Sequence, residues 1–337
     1  MTAAAVPVVP ASRFRLLRAI AASDDFGRDV RTGLTAAQKW LPPRWFYDEL
    51  GSSLFDAICF LPEYYVMRAE AEVLSTHRDE IVQAFGSNVR LIELGSGAAR
   101  KTRILLDALT ARTPELEYVP VDVDAAMLER SGRDLLSDYP GLRVTAVCAD
   151  FARPSIALAT LPRHHGRTVV LFLGSTIGNL DPDAAIAMLL DLRKALAPGD
   201  ALFLGADLRK SRAILEPAYD DPLGVTASFN KNLLVRINRE LDANFDLQSF
   251  THRADYDETH GRVEMHLVST KTQRVEIGRL RLTIDFAEGE SIHTESSYKH
   301  DSATLSALAN ASGFAIYNSW TDARAWFTDT LLIAKER

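Results

Sequence analysis

The sequence predicts an α/β fold: a mainly parallel sheet covered by helices on both faces, with a second α+β unit built partly from an insertion. Three observations carry that expectation. Short apolar runs alternate with helical stretches between Val89 and Leu204, as strand–crossover–strand units require. A glycine turn, Glu93-Leu-Gly-Ser-Gly97, ends the first of these runs. The C-terminal runs Gly313–Ser319 and Ala325–Lys335 return to strand-like composition after a differently patterned interval.

Taken in order, Ser12 to Val30 reads as a short helix, and Leu41-Pro-Pro43 interrupts the chain. Arg44 to Phe60 reads as helical pieces carrying Trp45, Phe46, Leu50, Leu54 and Phe55, stopped by Pro62. Ala69 to Phe85 has few breakers and reads as one amphipathic helix. Val89–Leu94, Glu117–Val123, Arg143–Ala149, Thr168–Leu173 and Ala201–Leu204 are strand candidates. Arg100–Leu109, Ala125–Leu136 and Asp183–Ala197 are helical. Arg262–Thr270 and Arg274–Phe286 alternate, as antiparallel strands do. The economical division places a nucleotide-binding domain at residues 68–208 and 300–337. Residues 12–67 and 209–299 then form a second domain, with a ligand cleft between the two.

Composition narrows the function. Hydrophobic residues make up 47% and charged residues 25% of 337, as in folded globular proteins. A formal net charge of -7 argues against a nucleic-acid partner, which needs a basic footprint. No apolar run reaches the length of a membrane span. The start, Met1 to Pro10, lacks a basic residue before Arg13 and reads as a loose tail rather than a signal peptide. Cys59 and Cys148 make no disulfide scaffold and no metal spacing, so a cytoplasmic setting is expected. The eight histidines are scattered; no metal and no covalent nucleophile is assigned. The oligomeric state is left open, a monomer being compatible.

The glycine turn sits where the first strand meets its helix, so the backbone can approach a ligand closely. A second strand ends at Asp122-Val-Asp124, suited to ribose hydroxyls, although Asp124 also reads as the N-cap of the next helix. A third ends at Asp150-Phe151, a carboxylate and an aromatic face suited to adenine. A dinucleotide fingerprint would need a small residue where Arg100 stands. The pattern therefore points to S-adenosylmethionine as the cofactor, with Glu93, Gly95, Gly97, Asp122, Asp150 and Phe151 as its binding set.

Several stretches are more specific: Leu41-Pro-Pro-Arg-Trp-Phe-Tyr47, Leu61-Pro-Glu-Tyr-Tyr65, Glu93–Gly97 with Lys101-Thr102, and Phe172-Leu-Gly-Ser-Thr-Ile-Gly-Asn179. Ala218-Tyr-Asp-Asp221, Gly224-Val-Thr-Ala-Ser-Phe-Asn230 and Thr294-Glu-Ser-Ser-Tyr-Lys299 complete the set. In this order the sequence resembles the bacterial histidine-specific N-α-methyltransferases, which form hercynine in ergothioneine biosynthesis. The resemblance implies a class I (Rossmann-like) methyltransferase domain with a mainly seven-stranded sheet and a second α+β substrate domain.

It also implies roles, and it adds Lys101 to the cofactor-binding set. Tyr47, near the substrate amine, with Tyr64 and Asn179, holding its amino acid portion, form the catalytic set. Tyr219 takes the carboxylate, Phe229 and Met265 line the ring pocket, and Glu295 and Ser297 bond the two imidazole nitrogens. Free L-histidine is the implied partner, and S-adenosylhomocysteine the by-product. Taken alone, Glu295-x-Ser297 would be a solvated strand face and Met265 ordinary core. Ser296, Tyr298 and His300, where the sequence departs from its relatives, are expected to point away from Glu295. Two alternatives stay open: an N-α-methyltransferase of another aromatic or modified amino acid, and a non-catalytic S-adenosylmethionine-binding regulator.

Overall fold

The structure is a computed structural model describing residues 13–19, 26–113 and 115–336. Its strands, in chain order, are β1 (Phe14–Arg18), β2 (Lys39–Trp40), β3 (Val89–Leu94), β4 (Glu117–Asp122), β5 (Arg143–Cys148), β6 (Arg167–Phe172) and β7 (Ala201–Asp207). They continue with β8 (Phe250–Asp257), β9 (Arg262–Ser269), β10 (Gln273–Ile277), β11 (Leu282–Phe286), β12 (Ser291–Tyr298), β13 (Phe314–Thr321) and β14 (Phe327–Ala334).

One sheet has the order β1-β5-β4-β3-β6-β7-β14-β13. Neighbours from β1 through β7 run parallel, and β14 is antiparallel to both β7 and β13. Every residue of β3 and β7 is buried; β7 reads as an apolar run up to Asp207, while β3 also carries Arg90 and Glu93, paired with Glu117 and Thr102. The chain proceeds outward from β3 on one side and from β6 on the other. The crevice at this reversal, beyond the carboxyl ends of the strands, is where such sheets bind ligands. The Rossmann-like fold of the sequence reading is present, with its seven strands and an eighth, β1, at the edge.

That eighth strand corrects the helical reading of Ser12–Val30. Phe14-Arg-Leu-Leu-Arg18 pairs with β5, and the helix begins only at Phe26. The ring of Phe14 lies where a Cβ on Gly132 would come within 2.4 Å, so a glycine lets the edge strand dock. Residues 1–12 and 20–25, including the N-terminal tail read from sequence, lie outside the described residues. The single helix read over Ala69–Phe85 is two, Val66–Thr76 and Arg78–Phe85, meeting at a non-helical His77. Weak helix formers end the first, and Asp79 and Glu80 favour a fresh N-terminus for the second.

A four-stranded sheet, β2-β12-β9-β8, stands apart from the large one, and β10 and β11 form a hairpin. The hairpin corrects the single run read over Arg274–Phe286: Gly278–Leu280 turns the chain, helped by Arg281 at φ 47°. Two further helices, Arg212–Tyr219 and Val225–Leu241, fill a stretch that sequence periodicity left unassigned. The longer one buries Phe229, Leu233, Ile237 and Leu241, a repeat of four that makes one face. No described helix is long and apolar enough to cross a membrane.

Candidate active site

At the end of β3 the chain turns through Gly95 (φ 70°) and Gly97 (φ 48°). The amides of Gly95 and Ser96 donate to the Val121 carbonyl at 2.8 and 3.2 Å, pinning the turn to β4. Asp122 closes the arrangement by accepting from the amides of Gly97 (3.0 Å) and Asp124 (3.1 Å). Asp124 is the N-cap of Ala125–Asp138, which accounts for its presence, while burial raises the Asp122 carboxyl above its usual range. A Cβ on Gly95 would lie 3.7 Å from the Phe151 ring, and one on Gly97 would meet nothing within 4 Å. Asp150 accepts from Ala152 at 2.9 Å, and Phe151 leans on Phe172 with centroids 5.9 Å apart. The residues thus leave a cradle of backbone, carboxylate and aromatic face that fits S-adenosylmethionine.

Two members of the expected cofactor set differ from the rest. Glu93 is enclosed, accepting hydrogen bonds from Tyr118 and, at 2.7 Å, from Thr102; burial pushes its carboxyl up to about 7. Its side chain straps β3 to β4 and the following helix. Lys101 is paired with Glu70, which also accepts from the Gly174 amide at 2.7 Å. Glu70, invisible in the sequence patterns, therefore ties the cofactor turn to the loop carrying Asn179.

The acceptor side is walled by aromatic rings. Phe46 stacks on Phe229 at 4.5 Å, and Tyr47 meets Phe229 and Phe55 edge-on at 5.8 and 5.6 Å. Tyr64 meets Phe55 and Tyr219, both at 6.2 Å. Tyr47 remains 45% exposed, yet its hydroxyl is pushed well above the usual phenol range by burial and then by Glu295. Tyr64 moves the same way, first through burial and then Tyr219. Asn179, half-buried, ends the turn Thr176–Asn179. A Cβ on Gly178 would come within 2.7 Å of the Tyr298 carbonyl, so glycine lets this turn lie against β12.

A bulge in β12 decides what the second sheet presents. His293 opposes His266, and Glu295 opposes Met265, with Thr294 as the extra residue bonded to the Met265 carbonyl at 3.0 Å. Because Met265 and His266 are adjacent and face opposite ways, the bulge sends His293 and Glu295 to opposite faces. His293 pairs with the His266 ring at 5.3 Å, while Glu295 and Ser297 share the Met265 face. The departures Ser296 and Tyr298 bond His293 (3.0 Å) and Asp181 (2.8 Å), away from Glu295 as expected.

Glu295 is 9% exposed and accepts no hydrogen bond from any described residue. Burial pushes its carboxyl up to about 7, against the opposing pull of Lys299. Ser297 and Tyr219 share a hydrogen bond of 2.8 Å. Lys299 donates to both and pairs with Asp207, although sequence reasoning gave neither residue a role. The unpaired carboxyl should cost stability. Below pH 4.5 Glu295 is protonated folded or unfolded; as pH rises, the unfolded chain ionises first and stability falls until about pH 7. The penalty above that pH is on the order of 3 kcal/mol. Glu295→Gln in the ligand-free protein is therefore expected to raise Tm at pH 8 and to leave it nearly unchanged at pH 4; equal shifts at both would contradict the assignment.

A glycine turn at the reversal point of a mainly parallel sheet is the ligand-binding position of α/β enzymes, and the aromatic rings around Phe229 and Tyr219, with Glu295, make up the rest of the candidate site. The model of the histidine-specific, S-adenosylmethionine-dependent methyltransferase family matches residues 26–334, and the chain belongs to that family. It is 46% identical to a histidine N-alpha-methyltransferase of Mycolicibacterium smegmatis, over 91% of this chain and 94% of that one. A protein of the same name from Mycobacterium tuberculosis is 47% identical over 88% and 90% of the two chains. An ergothioneine biosynthesis protein 1 of Schizosaccharomyces pombe is 29% identical over 88% of this chain and 39% of its own.

Proposed function

We propose that this chain transfers three methyl groups from S-adenosylmethionine to the α-amine of free L-histidine, giving hercynine, the first step of ergothioneine biosynthesis. The observation that carries the reading is Glu295: a largely buried carboxyl, on the face it shares with Ser297, has no hydrogen-bond donor among the described residues, and a ligand N–H would supply one. An imidazole N–H is such a donor, and an apolar ring would supply none. The names and extents of the mycobacterial relatives support the same acceptor.

In this reading residues 68–208 and 300–337, extended at the sheet edge by Phe14–Arg18, bind the cofactor, and the rest of 12–67 with 209–299 holds the acceptor, Asn179 reaching it from the cofactor side. Asp122 would take the ribose, Asp150 and Phe151 the adenine, the Gly95–Gly97 turn the backbone approach, and Lys101 the carboxylate. The bound cofactor supplies a methyl group already activated on a sulfonium, leaving alignment and a deprotonated amine as the protein's task. Tyr219 donates to the acceptor's carboxylate, and Asn179 and Tyr64 hold its amino acid end. Tyr47 and Tyr64, neutral phenols near pH 7 even at the ordinary tyrosine value, accept from the amine N–H groups, and the proton released with each methyl transfer passes to solvent. Their rings still face the cation as it loses N–H groups with successive methylation.

The test is a product mass spectrum from the protein, S-adenosylmethionine and an equimolar mixture of free amino acids. Trimethylated histidine is expected. Methylation of a different amino acid would overturn the Glu295 argument, and no product at all would favour a binding role.

A further inference from the structure

Behind the acceptor cleft lies a buried network that the chemistry just described does not use. The Lys299 ammonium, fully enclosed, has three protons and three partners: Asp207 at 2.9 Å, Tyr219 Oη at 2.6 Å and Ser297 Oγ at 2.9 Å. It has no N–H left for a ligand. Asp207 is itself held by the Tyr65 hydroxyl at 2.7 Å and by Lys210 at 2.5 Å, so the ammonium sits on a fixed carboxylate. Two opposing lysines keep that carboxylate ionised despite its burial.

The hydroxyls above it can be counted. Tyr219 Oη and Ser297 Oγ, each accepting from Lys299, are drawn to 2.8 Å from one another. At that separation one proton must lie between them, because two outward-turned hydroxyls would set lone pair against lone pair. The pair has two protons, so one faces the cleft. If Tyr219 donates it to a carboxylate, Ser297 donates to Tyr219 and offers the cleft only a lone pair.

We propose that Lys299, seated on Asp207, is a positioning residue for specificity: it fixes the Tyr219–Ser297 pair as one donor for the acceptor's carboxylate and one acceptor for a ring N–H. The inference rests on the histidine reading. It makes the site demand a ring with N–H on both nitrogens, an imidazolium that donates to Ser297 from one and to the Glu295 carboxylate from the other. A ring of the same size with sulfur or a bare nitrogen facing Ser297 is rejected by its failure to donate.

The probe is 3-(thiazol-4-yl)alanine, a five-membered ring without N–H, compared with histidine by kcat/KM. The parent enzyme is expected to favour histidine by at least about 10-fold, because the probe donates to neither Ser297 nor Glu295. Lys299→Met frees the Ser297 hydroxyl to turn and is expected to cut that ratio at least about fivefold, chiefly through KM for histidine, with S-adenosylhomocysteine affinity unchanged by calorimetry. The double variant Asp207→Asn/Lys299→Met, which leaves no lone carboxylate at this point, repeats the comparison should the single variant fail to fold. An unchanged ratio in a folded variant, with both substrates slowed equally, overturns the positioning role. Failure of the parent enzyme to methylate histidine at all overturns the reading beneath it.

Discussion

Glu295→Ala is expected to lower kcat/KM for histidine by about 100- to 1,000-fold while S-adenosylhomocysteine binds as before, because a site built around a substrate N–H loses most when its acceptor is removed. The carboxyl is buried on β12, opposite Met265, and among the described residues no hydrogen bond or ion pair links it to the cofactor cradle. The loss should fall mainly on KM, since the ring is distant from the reacting amine and is bound alike before and during transfer. The same substitution removes the buried carboxyl whose ionisation weakens the ligand-free protein at neutral pH. A variant at least as stable as the parent at pH 8, yet nearly inactive on histidine, is the signature of a group kept for recognition. Calorimetric titration with histidine and with S-adenosylhomocysteine separates the outcomes; parallel loss of both affinities would mean that Glu295 supports the fold instead.

The large sheet was legible because its central strands are buried on both faces and therefore written as largely apolar runs; β7 is the clearest. The cofactor turn was legible for a related reason, since Gly95 and Gly97 adopt positive φ that other residues rarely sustain. The helix Val225–Leu241 was not. Its Asn230 and Asn232 break the apolar pattern, yet both are buried, bonded to the His266 carbonyl and to Asp48. Such partners are distant in sequence and leave no local signal. The strand Phe14–Arg18 likewise depends on an open edge of β5 that composition does not reveal.

The acceptor residues were found through resemblance, and the structure supplies reasons that periodicity could not. A regular strand would have put His293 and Glu295 on one face; the bulge at Thr294 separates them. Glu70, Asp207 and Lys299 were given no role because each acts through another residue. A buried charge that holds a hydroxyl or a loop is recognisable only once the elements are packed.

The turn that carries Tyr47 offers the strongest test of how the fold positions the site. Gly51 lies in the first turn of the helix Glu49–Ile58, which Asp48 caps through the Gly51 amide at 2.8 Å. Helix propensity alone predicts that Gly51→Ala would stabilise the protein by about 1 kcal/mol. Here a Cβ would fall 1.7 Å from the Phe46 carbonyl oxygen and 3.1 Å from the Asn232 amide nitrogen. The first of these is backbone and cannot swing aside, so the turn Pro43–Phe46 or the helix must move. Phe46 is stacked on Phe229, and Asp48 is held by Asn232 at 2.7 Å and by Arg239 at 2.7 Å, which leaves little slack on either side. Overpacking of this kind should reverse the sign and cost about 3 kcal/mol. Tyr47 follows the displaced carbonyl directly, and a misplacement near 1 Å at a reacting group lowers turnover by about 100-fold. The cofactor cradle stands on other elements, so S-adenosylhomocysteine affinity should survive in whatever fraction folds. Thermal melting and histidine kinetics read both effects together. A Gly51→Ala protein that melts higher than the parent and keeps its turnover would mean that this close contact does not hold Tyr47 in place.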